Sequence, residues 1–295
     1  MNRRTISHVL IFLVIVFVGD RLGGEILQRV FLGRGFRYAE MYAEKLDAEV
    51  AVLGNSRGLH MFHPPAIEEI TGKKVANLSF NALPPVTMPV IWEDYLKRHP
   101  APKLLILEVS CISIEDEKGS LERMSVLMDQ NPKYGQLIKR RNSTFYWGTQ
   151  ISRLFRYNSS LLWRSLLIGG SDQSWIMDSE LNEEMLNAMV QESDSTLLRV
   201  AENAEAIKEV LRIAKEHDIK VKALVAPYYP QYCDRLTDVE EWISWVQEEL
   251  EVTVEDHSRL LTEPGDFADH LHLNAKGARN LAEKLNSIGF FATDE

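Results

Sequence analysis

The chain has 295 residues, 45% of them hydrophobic and 26% charged, which is enough for a large α/β domain and too apolar for general disorder. A formal net charge of −10, with no Lys/Arg stripe interleaved with aromatics, excludes nucleic acid as an expected partner. The two cysteines, Cys111 and Cys233, fit no metal-ligand spacing and leave a disulfide open.

In chain order, Arg3 and Arg4 come first, followed by an uncharged apolar run from Val9 to Val18. This is a positive n-region with an apolar h-region. The run is shorter than the roughly 20 residues of a full span, but no small-x-small cleavage site follows; Gly19-Asp20-Arg21-Leu22 stands there instead. The expectation is an uncleaved signal anchor, a transmembrane helix over residues 1–27, with Ile6 and residues 22–27 extending the run. Arginines held inside would place the rest of the chain outside the cytoplasm, periplasmic or extracellular. A cleaved signal peptide and a buried N-terminal helix are the alternatives. Residues 28–47 read as an amphipathic connector.

The first strand is expected at 49–53 and ends in Gly54-Asn55-Ser56-Arg57-Gly58. A second follows at 74–80, a helix at 85–98, and a third strand at 103–109, whose near-continuous apolar run suits a sheet covered on both faces. Residues 110–195 lose this alternation and carry Trp147, Trp163 and Trp175; they read as a helical insertion that could shape or cover a site. Leu197, Val200, Ala204, Ile207, Leu211 and Ala214 recur at helical spacing. A fourth strand is expected at 220–226, stopped by Pro227. A helix at 237–250, a strand at 251–254 and a last helix at 275–288, N-capped by Asn274, complete the pattern. The fold class is therefore α/β: a doubly wound parallel sheet of about five strands over residues 48–290. Its ligand crevice would lie beyond the carboxyl ends of the strands.

Ser56 falls at such an end, on a sharp strand-to-helix turn. A serine hydroxyl needs an adjacent base to act as a nucleophile; on its own, Gly-Asn-Ser could equally mark a helix cap. The segment Phe267-Ala268-Asp269-His270-Leu271-His272-Leu273-Asn274 supplies a candidate base. Asp269 and His272, three apart, allow a carboxylate to hold Nδ1–H while Nε2 faces a substrate. Asp256-His257 points apart, Asp266 with His270 is an alternative pair, and His60 and His63 read as surface or substrate-rim residues. Neither a metal-ligand cluster nor a nucleotide loop is present, so no cofactor or metal is expected. Two Asn-x-Ser/Thr triplets begin at Asn142 and Asn158, and the apolar stretch 161–168 is too short and too charged to span a bilayer.

The ordered pair of Gly54-Asn55-Ser56 after strand one and Asp269-x-x-His272-Leu273-Asn274 before the last helix resembles the SGNH (GDSL) hydrolase superfamily, over residues 48–112 and 195–290. The resemblance implies a flavodoxin-like fold with Ser56 as nucleophile, His272 as base and Asp269 as orienting carboxylate. Asn55 stands where the family more often has Asp. Anchored members of this layout are similar to cell-surface polysaccharide O-acetyltransferases. In the family's second block a glycine N–H serves the oxyanion; Ala82 matches it, beside Asn81. The asparagine of the third block has no counterpart in Glu108-Val109-Ser110-Cys111, so either Asn81 or Ser110 would substitute, and Asn81 is the expectation. The implied function is serine-dependent acyl transfer on an acyl ester or envelope carbohydrate, as esterase, deacetylase or O-acyltransferase. One alternative is an inert SGNH-fold protein serving envelope polysaccharide machinery; another is a soluble thioesterase.

Overall fold

Five short strands build the centre of the chain: β1 (Val50–Leu53), β2 (Val75–Asn77), β3 (Leu104–Glu108), β4 (Lys220–Val225) and β5 (Val254–Asp256). In the computed structural model, which describes residues 2–33, 37–43, 46–115, 119–158, 177–191 and 193–293, they form one all-parallel sheet in the order β2-β1-β3-β4-β5. Every residue of β1 and β3 is buried, as the unbroken apolar runs require of a sheet covered on both faces.

Strand order reverses once, between β1 and β3. Right-handed crossovers then place the helices after β1 on one face and those after β2, β3 and β4 on the other. The first group is α3 (Ser56–Met61) and α4 (Pro64–Thr71), joined by the terminal helix α12 (Ala275–Ser287). Their side chains Ile67, Leu281 and Leu285 pack in one core with Val50, Val52, Leu104, Ile106 and Leu224. The second group is α5 (Met88–Arg98), α9 (Ala201–Glu216) and α11 (Val239–Leu250). Helix α9 packs against both α5 and α11, with Trp92, Tyr95, Ile207 and Trp242 fully buried.

The carboxyl ends of β1 and β3 flank the reversal point, where an open α/β sheet parts its loops into a crevice. Two strand boundaries differ from the sequence reading by three residues. Strand β5 starts at Val254 rather than 251, because Glu251 ends α11 in the left-handed region (φ 54°) and Gln247 Oε1 accepts the Val254 N–H at 3.0 Å. Strand β2 stops at Asn77, whose side chain turns back to bond the carbonyls of Gly58 and Phe62.

The described chain divides into two compact units. The sheet unit comprises Lys45–Glu117 and Gln173–Glu295, and includes α8 (Glu183–Gln191) and the short α10 (Pro230–Cys233). The other comprises Met1–Glu44 and Lys118–Asp172. It contains α1 (Arg3–Gly33), α2 (Arg37–Ala43), α6 (Pro132–Arg141), α7 (Ser143–Ile151) and the 3-10 turns Glu122–Leu127 and Leu154–Tyr157. The described part of the expected insertion is thus helical, and its first half groups with α1 and α2. Trp163, Trp175, Ser159, Ser160 and the stretch 161–168 lie outside the described residues.

Helix α1 is locked into its unit just after the apolar run. Asp20 accepts from the Ser152 hydroxyl at 2.5 Å and from the Arg153 and Leu154 amides at 2.8 and 3.2 Å. Arg21 donates to the carbonyls of Gln150 and Ile151. Val9 to Val18 are all exposed, as are Leu22 and Ile26, so this segment is not a core helix. Among the described residues no helix is long and apolar enough to cross a membrane. Cys111 and Cys233 are free, buried thiols.

Candidate active site

Ser56 is the first residue of α3. Asn55, not Ser56, caps that helix: its Oδ1 accepts the Arg57 N–H at 3.0 Å. The serine hydroxyl is therefore not consumed by the helix end, where four N–H groups lack partners. Gly58 is needed one turn on, since a Cβ there would lie 2.7 Å from Ser79 Oγ.

The second half of the site is a self-closed turn before α12. Asp269 Oδ1 accepts the backbone N–H of Leu271 at 2.7 Å and of His272 at 2.8 Å, while the Ala268 N–H donates to the His272 carbonyl at 2.9 Å. The carboxylate is thus held under the imidazole, with His272 Nδ1 at 2.9 Å from Oδ2 and 3.0 Å from Oδ1. On the far side of the ring, Nε2 lies 2.8 Å from Ser56 Oγ. A carboxylate can only accept, so Nδ1 carries the proton and Nε2 is left to accept from the serine hydroxyl. Residues 216 apart in sequence meet within hydrogen-bond distance.

The turn fixes the electrostatics as well. Burial pushes the Asp269 carboxyl upward, but the His272 hydrogen bond and charge and the two backbone amides outweigh it and bring it down to about 2. Asp269 is then ionised at any pH near neutrality, ready to stabilise an imidazolium.

Other sequence candidates fall elsewhere. His60 is buried rather than on the surface: its Nε2 donates to Asn81 Oδ1 at 2.8 Å, and its ring stands edge-on to His272 with centroids 5.2 Å apart. The bond occupies the Asn81 amide oxygen and leaves the –NH₂ group as the donor that Asn81 can offer. His63 is half-buried, and its imidazole is pushed down by burial and the Arg279 charge. Ala82 adopts φ 51°, the left-handed region that favours glycine, in keeping with the glycine that the resemblance implies there. Ser110 is buried, its hydroxyl donating to Glu108 Oε2 at 2.8 Å, so it is not placed to replace the missing asparagine. Asp266 bonds Asn280 and pairs with Lys276, while the His270 ring packs on Tyr232. His257 Nε2 lies 3.0 Å from Glu255.

The sequence reading passed over Arg57. Its side chain is only 3% exposed; it pairs with buried Glu108 and donates to the carbonyls of Leu271 and Ala226. The only sequence signal was a charge beside an expected nucleophile at the end of an apolar strand.

No family model matches the chain, and no curated protein matches it. Solved structures similar to it include a protein of Streptococcus pneumonia provisionally described as a platelet activating factor, at 12% identity and a TM-score of 0.40, over 96% of this chain and 98% of that one. A provisionally assigned acylhydrolase of Bacteroides fragilis matches at 13% identity and a TM-score of 0.40, over 86% and 93% of the two chains. Both likenesses are too distant to carry an argument about chemistry.

Proposed function

We propose that the chain is a serine-dependent acyl-transfer enzyme in which Ser56 is the nucleophile, His272 the general base and Asp269 the orienting carboxylate. The observation that carries this reading is the continuous relay from Asp269 through both imidazole nitrogens to the Ser56 hydroxyl, at the reversal point of the sheet. As the serine oxygen attacks an ester carbonyl, its proton passes to Nε2, and the imidazolium is stabilised by Asp269. Backbone amides of Ser56 and Ala82, together with the Asn81 –NH₂, are the proposed oxyanion donors. His272 returns the proton to the leaving alcohol, and a second attack by water or a sugar hydroxyl releases the acyl group. Water makes the protein an esterase or deacetylase; a carbohydrate hydroxyl makes it an O-acyltransferase.

A fluorophosphonate probe applied to the full chain tests this reading. Labelling is expected for the wild type and expected to vanish in both Ser56→Ala and His272→Ala; an unlabelled wild type refutes it. Aryl acetate turnover with and without oligosaccharide then separates hydrolysis from transfer. One observation favours an inert scaffold instead. The missing third-block asparagine is not made good by Ser110, whose hydroxyl is committed to Glu108. Losing one such donor typically slows an enzyme about 10²–10³-fold, so slow turnover with intact probe labelling fits the enzymatic reading.

We also propose that α1, although not apolar enough over a full span, holds the chain to a bilayer through its apolar run, with the sheet unit outside the cytoplasm. The support is its exposed apolar surface, which runs from Val9 to Val18 and continues through Leu22 and Ile26, next to Arg3 and Arg4. Fractionation of cells expressing the full chain checks this: release from membranes by alkaline carbonate counts against it.

A further inference from the structure

We propose that Arg57 is a positioning residue that sets the gap between Ser56 and His272; this rests on the acyl-transfer reading above. The side chain is bound on every side. Nη1 donates to the Leu271 carbonyl at 2.9 Å, Nη2 to the Ala226 carbonyl at 2.5 Å, and Nε reaches Glu108 Oε1 at 3.4 Å. The guanidinium carbon sits 3.6 Å from the centre of the Tyr228 ring. Glu108 is in turn fixed by the Ser110 hydroxyl at 2.8 Å and the Ala226 N–H at 3.4 Å.

The covalent neighbours of these contacts give the inference its force. Arg57 follows Ser56 directly, and Leu271 directly precedes His272. The bond from Arg57 to Leu271 therefore joins the same two segments as the bond from Ser56 to His272, one residue removed and partly buried. Two links between the same two segments fix their separation and their relative rotation, where one link would fix separation alone. The ends of β3 and β4, through Glu108 and Ala226, supply the frame that holds the guanidinium still. A single ammonium could not meet three acceptors spread around a planar fork, so lysine is not an equivalent.

Buried charge complicates the test, since removing Arg57 alone strands Glu108 in the interior. The informative variants are the charge-free double Arg57→Met with Glu108→Gln, and Arg57→Lys, which keeps the pair. Thermal midpoint, kcat and KM for an aryl acetate are measured on each, together with the low-field proton signal of His272 Nδ1–H. The expected result is a kcat about 10²-fold lower, the order that misplacement by about 1 Å produces, with KM little changed. The Nδ1–H signal is expected to weaken while the double variant keeps a folded, cooperative transition.

If either variant folds and turns over within about threefold of wild type, Arg57 is merely structural and the proposal is overturned. If the double variant does not fold, Arg57→Lys decides by the same criteria. Should the wild type show neither turnover nor probe labelling, the acyl-transfer reading fails by itself. The Nδ1–H signal then decides for Arg57, its loss in the variants supporting the positioning role and its persistence refuting it.

Discussion

Replacing Asp269 with Asn tests the relay with little disturbance of the fold. Asp269 Oδ1 accepts the Leu271 and His272 amides, and an Asn carbonyl oxygen in that place keeps both bonds. The amide –NH₂ then takes the place of Oδ2, 2.9 Å from His272 Nδ1, and two donors face each other. Oδ1 also lies 3.0 Å from Nδ1, but its two lone pairs are taken by the Leu271 and His272 amides; the imidazole therefore moves its proton to Nε2, and the atom 2.8 Å from Ser56 Oγ can no longer accept. Loss of the working tautomer in a triad of this kind costs about 10⁴ in kcat, or about 5.4 kcal/mol at 1.36 kcal/mol per factor of ten. The assay is aryl acetate turnover by Asp269→Asn and wild type, with circular dichroism confirming equal folding. A fall of less than about tenfold in a folded variant would refute the tautomer argument. Acid titration adds a second readout. The carboxyl is depressed from 3.8 to about 2 in the folded chain, so its contribution to stability is full above about 4 and lost as pH falls towards 2. The stability gap between wild type and Asp269→Asn should therefore close over that window.

Three further substitutions have definite expectations. Gly277→Ala places a Cβ 1.9 Å from the Asp266 carbonyl oxygen, and should destabilise by about 1–3 kcal/mol through overpacking, measured as a lower urea midpoint. Ala82→Gly relieves a left-handed residue worth about 1–2 kcal/mol, less the 0.5–1 kcal/mol of extra chain freedom that glycine brings. The expected net gain is between zero and about 1.5 kcal/mol, read as a higher urea midpoint, with turnover retained because the backbone donor survives. Asn81→Ala should lower acyl turnover by about 10²–10³ with the fold intact; unchanged turnover removes Asn81 from the oxyanion role.

Legibility in the sequence followed the range of the interactions. The Asp269-x-x-His272 turn was readable because all its bonds close within four residues, and the Asn274 cap because its partner Gly277 is three residues on. The sheet was readable from its apolar runs, since a strand buried on both faces needs nothing else. Strand five slipped because its expected first residue, Glu251, is the C-cap of α11 and turns left-handed. His60 and Arg57 were missed for a common reason. Polar residues are usually exposed, and only partners far along the chain, Asn81 for one and Glu108 and Leu271 for the other, make their burial tolerable. Nothing near them in sequence announces those partners.

The way Asp20 and Arg21 are used has a consequence for maturation. Together they satisfy a hydroxyl, two amides and two carbonyls around residues 150–154, and Glu25 holds Arg153 from the same helix. A peptidase cutting near residue 27 would excise the partners of all these groups and leave a folded helical body with open polar seams. Helix α1 is a working part of its unit's architecture, and an expressed fragment that starts at Gln28 should be less stable in its helical unit than the intact chain.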